Sequence, residues 1–289
     1  MTVEGKPHIA VLVCDTPIPG IAEVHGDFGD NVKQLVTQAN KDTSIIDLPL
    51  KKYQVSFEEK GVDHSEQLDG VYQELTTGIS DGTVKGVILT GSRSDSFATD
   101  VQWITRLDVF LQRLLFEMTH VPVVGLCFGH QIIAKNLGAS VGRNKESIGW
   151  ECGTTTISLS NDLFRLPNSP FDQAGSGTEL KLNLVEFHRD IVQSMPPPRE
   201  NLTFINIGHT AKCAIQGLIT CTGATKVLTF QGHPEFTTVE ALDMLQRDID
   251  LNIIDNATFQ KAKYNTEMLT NLGTYIGKVI SYFFRNNID

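Results

Sequence analysis

Cys127, His233 and Glu235 could together perform nucleophilic acyl chemistry: a thiol needs a base within reach, and the base needs an orienting partner. Residues 121–131 read VPVVGLCFGHQ, an apolar run passing straight into Gly125-Leu126-Cys127-Phe128-Gly129. A G-x-C-x-G turn between a buried strand and a helix follows the nucleophile-elbow logic, with sulfur in place of oxygen. The nucleophile occupies a strained turn. Side chains two before and two after it would collide with the neighbouring strand and helix. The thiol projects from the carboxyl edge of the sheet, where open α/β sheets bind ligands. A helix N-terminus there favours the thiolate. Alone, Cys127 reads equally well as a small buried hydrophobe. The strand before it, the helix after it and a second site downstream decide for the chemical reading.

That second site is Phe230-Gln231-Gly232-His233-Pro234-Glu235-Phe236, after the apolar run 227–230. An extended segment would point His233 and Glu235 the same way, and the intervening proline favours extension. A carboxylate so placed holds the imidazole tautomer and stabilises imidazolium. The bland alternative is a turn histidine beside a surface glutamate. A third stretch, Thr90-Gly91-Ser92-Arg93-Ser94-Asp95-Ser96, directly follows a strand pattern. Attack on an amide creates an oxyanion that needs preorganised N–H donors. The backbone N–H of Phe128 would be one, and Gly91-Ser92 is the best-placed source of the other. By itself this stretch would pass for a polar helix-entry loop.

Taken in this order, TGSRSDS, GLCFGHQ and HPE resemble the class I (triad) glutamine amidotransferase family, over about residues 86–235. The resemblance implies that Cys127 is the nucleophile, His233 the general base and acid, and Glu235 the orienter. It implies that Gln131 helps hold glutamine, and that His188 and Asp190, in the EFHRD run 186–190, line the glutamyl pocket. Two features depart from synthetase-linked members. Ser92 stands where those usually carry a second glycine, and no G-x-x-x-x-G-K-[ST] phosphate loop is present. Gly91, Ser92, Arg93, Asp95 and Trp103 with CFGHQ look most similar to stand-alone cytosolic members, including plant γ-glutamyl peptidases and uncharacterised fungal proteins. His130 and Cys152 are weaker candidates, read as a structural residue in the first helical turn and a core cysteine.

Positioning these residues requires an α/β scaffold. Apolar runs predict strands at 8–14, 43–48, 85–90 and 121–126, and helical spacing predicts helices at 29–40, 67–79, 101–119 and 129–137. This alternation argues for a doubly wound, mostly parallel sheet with helices on both faces. Strands at 154–159, 182–187, 203–207, 214–219 and 227–230, with few helices between them, suggest an antiparallel extension of the same sheet. The turn-rich stretch 161–179 reads as a surface insertion that could shape the pocket mouth. Helices are expected at 239–254 and 259–284. No repeat or composition shift divides the chain, so one domain over 1–289 is expected.

Composition narrows the function. The 289 residues carry 34 acidic against 24 basic side chains, a formal charge of −10. The pI near 5.3 disfavours phosphate backbones and anionic membranes as partners. Five widely spaced cysteines without a C-x-x-C pair argue against a disulfide framework or zinc. The N-terminal apolar run 9–14 is too short for a signal peptide core, and no 18-residue apolar run occurs. A cytoplasmic location is expected, with no metal or organic cofactor required. Three functions compete: a glutamine amidohydrolase with or without an ammonia-accepting protein partner, a γ-glutamyl peptidase for glutathione-like compounds, and a non-catalytic binding protein. All three take a small γ-glutamyl molecule, and the intact triad weighs against the last.

Overall fold

The computed structural model describes residues 5–41, 44–57, 62–175, 180–199 and 201–288. Their strands are β1 (His8–Val13), β2 (Leu50–Gln54), β3 (Val84–Leu89), β4 (Val123–Leu126), β5 (Val141–Arg143), β6 (Glu151–Leu159), β7 (Lys181–His188), β8 (Asp190–Val192), β9 (Thr203–Asn206), β10 (Gly208–His209), β11 (Gly217–Thr222) and β12 (Val227–Phe230). The helices are α1 (Ala22–His25), α2 (Phe28–Asn40), α3 (Ser65–Ser80), α4 (Gln102–Phe116), α5 (Phe128–Asn136), α6 (Pro170–Gln173), α7 (Thr238–Asp250), α8 (Asn256–Met268) and α9 (Gly273–Asn287).

The main sheet runs β2-β1-β3-β4-β12-β11-β9. Its first five strands are parallel, and β11 and β9 extend it antiparallel. Because side chains alternate across a strand, the continuous apolar runs serve both faces. Ala10, Leu12, Val87, Leu89 and Val123 pack with Leu75 of α3, Leu107 and Leu111 of α4, and Ile132 of α5. Ile9, Val11, Ile88 and Val124 pack with Val32 and Leu35 of α2 and Ile276 and Ile280 of α9. The expected doubly wound α/β architecture is what forms.

Three local expectations change. No strand forms over 44–49; residues 42 and 43 lie outside the described residues. The strand is β2, just past Pro49. As an edge strand it is only partly buried, so it carries Lys51, Lys52 and Gln54 and lacks an apolar run. Secondly, β6 and β7 do not extend the main sheet. They form a separate three-stranded sheet with β10, while β5 and β8 pair as a two-stranded ribbon. Strand propensity is local, but the choice of sheet depends on hydrogen-bond partners far away in sequence. Thirdly, the helix expected at 259–284 is two helices. The break before α9 seats Gly273 under the turn at Pro234, where a Cβ would lie 2.1 Å from the Pro234 carbonyl oxygen. Asn271 also donates from Nδ2 to the Phe236 carbonyl at 2.8 Å.

The stretch 161–175 forms a 3₁₀ turn at Asn161–Arg165 followed by α6. Residues 176–179 of the expected insertion lie outside the described residues. Leu163 and Phe171 are fully buried. The Phe171 ring sits 6.2 Å from that of Phe230, centroid to centroid. Apolar anchors therefore tie this stretch to the core.

The elbow depends on two glycines. A Cβ at Gly125 would lie 2.6 Å from the Gly129 carbonyl carbon, and one at Gly129 would lie 2.6 Å from the Leu89 carbonyl oxygen. Backbone on both sides cannot yield cheaply. Gly129→Ala is expected to destabilise the fold by about 1–3 kcal/mol, the usual cost of overpacking. Urea unfolding checks this; an unchanged midpoint and slope would show that the helix moves away without penalty.

Candidate active site

Cys127 follows β4, which lies between β3 and β12 in the middle of the main sheet. Its φ of 50° and ψ of −103° place a non-glycine residue in a sparsely populated region. Neighbours hold it there. The Cys127 N–H donates to the Phe230 carbonyl at 2.8 Å, and the Gln131 N–H donates to the Cys127 carbonyl at 3.1 Å. Phe128 opens α5, so its own N–H has no intrahelical acceptor. Cys127 is 5% exposed.

The loop after β3 is stitched from both ends. Gly129 N–H donates to the Thr90 carbonyl at 3.2 Å. The Cys14 N–H donates to Thr90 Oγ1 at 2.9 Å. Arg93 donates to buried Asp15 from its backbone N–H at 2.8 Å, from Nε at 3.0 Å and from Nη2 at 2.8 Å. Gly91 faces both Cys127 and His233: a Cβ there would lie 2.8 Å from His233 Cε1 and 3.6 Å from Cys127 Cβ. Ser92 lines the cavity, and its hydroxyl accepts from the Ser94 N–H at 3.1 Å.

His233 is pinned through its backbone. Its N–H donates to the Val185 carbonyl at 2.7 Å, and its carbonyl accepts from the Phe236 N–H at 3.3 Å. The segment is therefore a turn with Pro234 at the second position, where its fixed φ suits turns. It is not the extended stretch expected from alternation. Side chains two apart still meet: His233 Nδ1 donates to Glu235 Oε1 at 2.8 Å. The imidazole stacks on Phe236, with centroids 4.3 Å apart and planes 9° apart. Burial favours the neutral ring, but the Cys127 sulfur and the Glu235 carboxylate outweigh it and hold His233 well above the ordinary histidine range.

The remaining predicted residues lie close by. Gln131 lines the cavity, but its amide is already engaged. It accepts from Ser96 Oγ at 3.1 Å and donates to the Asp190 carbonyl at 2.9 Å and to Gln231 Oε1 at 3.2 Å. The geometry makes it a brace. His188 is buried and uses both ring nitrogens, with Nδ1 3.2 Å from the Asp190 carbonyl and Nε2 3.1 Å from Glu151 Oε2 and 3.3 Å from Glu186 Oε2. Burial opposes its charge, yet the two carboxylates push it up to about 10. Asp190 pairs with Arg143 Nε at 2.5 Å, and Arg143 Nη2 also reaches Asp95 Oδ1 at 2.6 Å. Burial raises the Asp190 carboxyl; Arg143 opposes the shift and Asp95 adds to it.

Among the described residues, Glu151, Glu186 and His188 bring three ligand atoms within 4.8 Å of one another, a spacing a metal could use. His188 Nε2 lies between the two carboxylates, 3.1 Å and 3.3 Å from their oxygens, an arrangement that suits an ion triad when the ring is protonated. His130 is buried away from the cavity lining, shares a hydrogen bond with Thr229 Oγ1 at 2.8 Å, and is pushed down to about 3 by burial. Burial pushes the Cys152 thiol up to about 12. Both are unsuited to acid–base or nucleophilic work near neutral pH.

A cavity of about 350 Å³ opens beside Cys127 and His233. Besides predicted residues, its walls include Phe28 of α2, Trp150, Arg189, and Met244 and Arg247 of α7. Sequence reading assigned these no role: Phe28, Trp150, Met244 and Arg247 come from separate elements with no shared motif, and Arg189 was passed over inside the EFHRD run. It also gave no role to Gln231, whose Nε2 lies 3.7 Å from Cys127 Sγ, although the residue stands inside the quoted stretch 230–236, directly after β12. None of the described residues of 161–175 lines this cavity.

An α/β sheet with a cysteine elbow and a histidine–glutamate turn defines a class of amidotransferase-like proteins, and the sequence comparison agrees. The model of the glutamine amidotransferase class-I family matches residues 25–250, so the chain belongs to that family. A glutamine amidotransferase-like protein of Schizosaccharomyces pombe is 31% identical, over 80% of this chain and 80% of the relative. γ-Glutamyl peptidase 2 of Arabidopsis thaliana is 30% identical, over 62% of this chain and 64% of the relative. The solved glutamine amidotransferase of Thermotoga maritima superposes with a TM-score of 0.59 at 17% identity, covering 96% of this chain and 98% of that one, a likeness of fold. Among the described residues, no helix is long and apolar enough to cross a membrane.

Proposed function

We propose that the protein hydrolyses a small γ-glutamyl amide through a thioester on Cys127. The observation that carries this reading is the strained Cys127 elbow facing a His233–Glu235 pair closed at 2.8 Å. The Cys127 thiolate attacks the γ-carbonyl carbon. The N–H of Phe128 and an N–H of the Gly91–Ser92 loop hold the oxyanion. His233 gives its proton to the leaving amine as the C–N bond breaks, leaving a γ-glutamyl thioester. Water then attacks while His233 takes its proton, and collapse releases glutamate and restores the thiol pair. No metal or organic cofactor enters these steps. The free state of all five cysteines supports a reducing, cytoplasmic setting.

A γ-glutamyl peptide as substrate is the second reading. The aromatic and apolar wall around His233, from Phe28, Phe236 and Met244, is more than an ammonia leaving group requires. The decisive assay incubates purified protein with glutamine or glutathione and quantifies ammonia, glutamate and cysteinylglycine. Release of cysteinylglycine without ammonia selects the peptide reading, and ammonia alone selects the glutaminase. No product and no thioester with either substrate, or with γ-glutamyl dipeptides, would leave a non-catalytic role.

The pinned loop supports turnover without a partner, because Arg93 and Thr90 already hold Gly91-Ser92 in place. Ser92→Pro removes one N–H and is expected to cost about 10²–10³ in kcat, whereas Ser92→Gly costs little. Comparable rates for the two variants would exclude the Ser92 N–H as a donor. Hydrolysis that appears only with a copurifying protein would favour the partner-dependent form.

A further inference from the structure

The cavity beside Cys127 has two ends of different chemistry. At one end Arg143 is claimed by Asp190 and Asp95, beside Gln131 and the loop after β3. At the other end α7 supplies the wall. Met244 packs with Phe28 and Phe236, the two rings that flank His233, and Arg247 follows three residues on, over the same face of the helix. His233 gives its proton to the leaving amine, so the leaving group lies at the α7 end. Among the described residues, two cations line this end, Arg189 and Arg247, against one carboxylate, Asp248. Asp248 is taken by Arg247 Nη1 at 2.8 Å. We propose that the Arg189 guanidinium binds a carboxylate on the leaving group, so that the substrate is a γ-glutamyl amino acid or peptide with a free carboxyl end. This rests on the reading of Cys127 and His233 as a γ-glutamyl hydrolase pair.

The placement of Arg189 carries the proposal. Its backbone stands at the bend that joins β7 to β8. The β6–β7 register sets Glu151 opposite His188, so Trp150 and Arg189 are the next pair along. The guanidinium accordingly lies over the Trp150 ring, 5.3 Å from its centroid, an attractive cation–π distance. Trp150 in turn packs in the cluster of Leu245 on α7, together with Phe187. The side chain is thereby turned toward α7 and away from the Arg143 end. Among the described residues, no carboxylate pairs with it. A stacked guanidinium keeps its N–H edge open, and that edge fits a carboxylate with two parallel hydrogen bonds. In a chain of net charge −10 this cation is no part of a general basic surface, and a cleft focuses its field. The wall from His233 toward Arg189 is apolar. The imidazole stacks on Phe236, whose ring meets that of Phe187 edge to face, centroids 6.2 Å apart, and Phe187 stands two residues before Arg189. An ammonia leaving group uses none of this wall, whereas an amino acid or dipeptide runs along it and ends on the cation.

The test compares γ-glutamylalanine with γ-glutamylalanine amide, which differ only in the distal carboxyl group, and takes glutamine as the reference with no distal group. The unaltered protein is expected to favour the acid by about five- to tenfold in kcat/KM, most of it in KM, because the contact is made in ground and transition states alike. Arg189→Met keeps the aliphatic stem and should bring the acid down to the level of the amide, while Arg189→Lys should retain part of the preference. Equal turnover of acid and amide by the unaltered protein overturns the proposal and leaves the γ-glutamyl reading standing. So does an Arg189→Met protein that still prefers the acid. So does one in which glutamine loses as much as the acid, since Arg189 would then serve the glutamyl part or the fold. If none of the three compounds is hydrolysed, the function falls, and calorimetric binding of the acid and the amide to the Cys127→Ser chain decides this inference. Tighter binding of the acid that disappears with Arg189→Met sustains it; equal binding, or none, overturns it.

Discussion

Cys127→Ser is expected to abolish γ-glutamyl turnover, by on the order of 10⁴- to 10⁶-fold in kcat, with the fold intact. A hydroxyl is far less ionised and less nucleophilic than a thiol, so thioester formation has no substitute. The fold should survive because the elbow is held by backbone bonds to the Phe230 carbonyl and from the Gln131 N–H, whereas the sulfur makes side-chain contacts alone, with Gln231 Nε2 at 3.7 Å and with His233. A glutamine-analogue electrophile should therefore label Cys127, and mass spectrometry of the digested protein reads the site. Cys14 and Cys213 are buried and Cys152 is half-buried, and desolvation pushes all three thiols far toward the neutral form. Labelling at Cys152 with Cys127 spared would remove the assignment.

His233→Ala should cost more than Glu235→Gln: on the order of 10⁵-fold against about 10²–10⁴-fold in kcat. The imidazole moves a proton in both half-reactions, whereas the carboxylate orients the ring and supports its charge. Glu235→Gln keeps an oxygen that can accept from Nδ1 but loses the charge that opposes burial. Phe236 stacking and the backbone bond to Val185 still hold the ring, which is why activity should persist at a reduced level. Steady-state kinetics on the two variants, beside His130→Ala and His188→Ala, separate the bases. Near-normal rates for His233→Ala with a dead His188→Ala or His130→Ala would mean that the base is misassigned. The geometry argues against both alternatives, since His130 is held neutral and His188 is locked between two carboxylates.

What the sequence determined by itself is whatever short-range chemistry dictates. The central strands were legible because a strand buried on both faces must be mostly apolar, as in 8–14 and 227–230. The elbow was legible because only glycine fits where Gly125 and Gly129 press against backbone, and that leaves G-x-C-x-G in the text. Tertiary structure alone decided features that depend on distant partners. Exposure at the sheet edge hides β2 behind lysines. Hydrogen-bond pairing far along the chain puts β6 and β7 in their own sheet. The seat of Gly273 against Pro234 splits the last helix. Pro234 makes a turn because the His233 N–H is claimed by Val185, a partner 48 positions away by residue number. Glu186 stands in the sequence only as the first residue of the EFHRD run; folding alone buries it against Gly232, beside the His188 ring that it shares with Glu151.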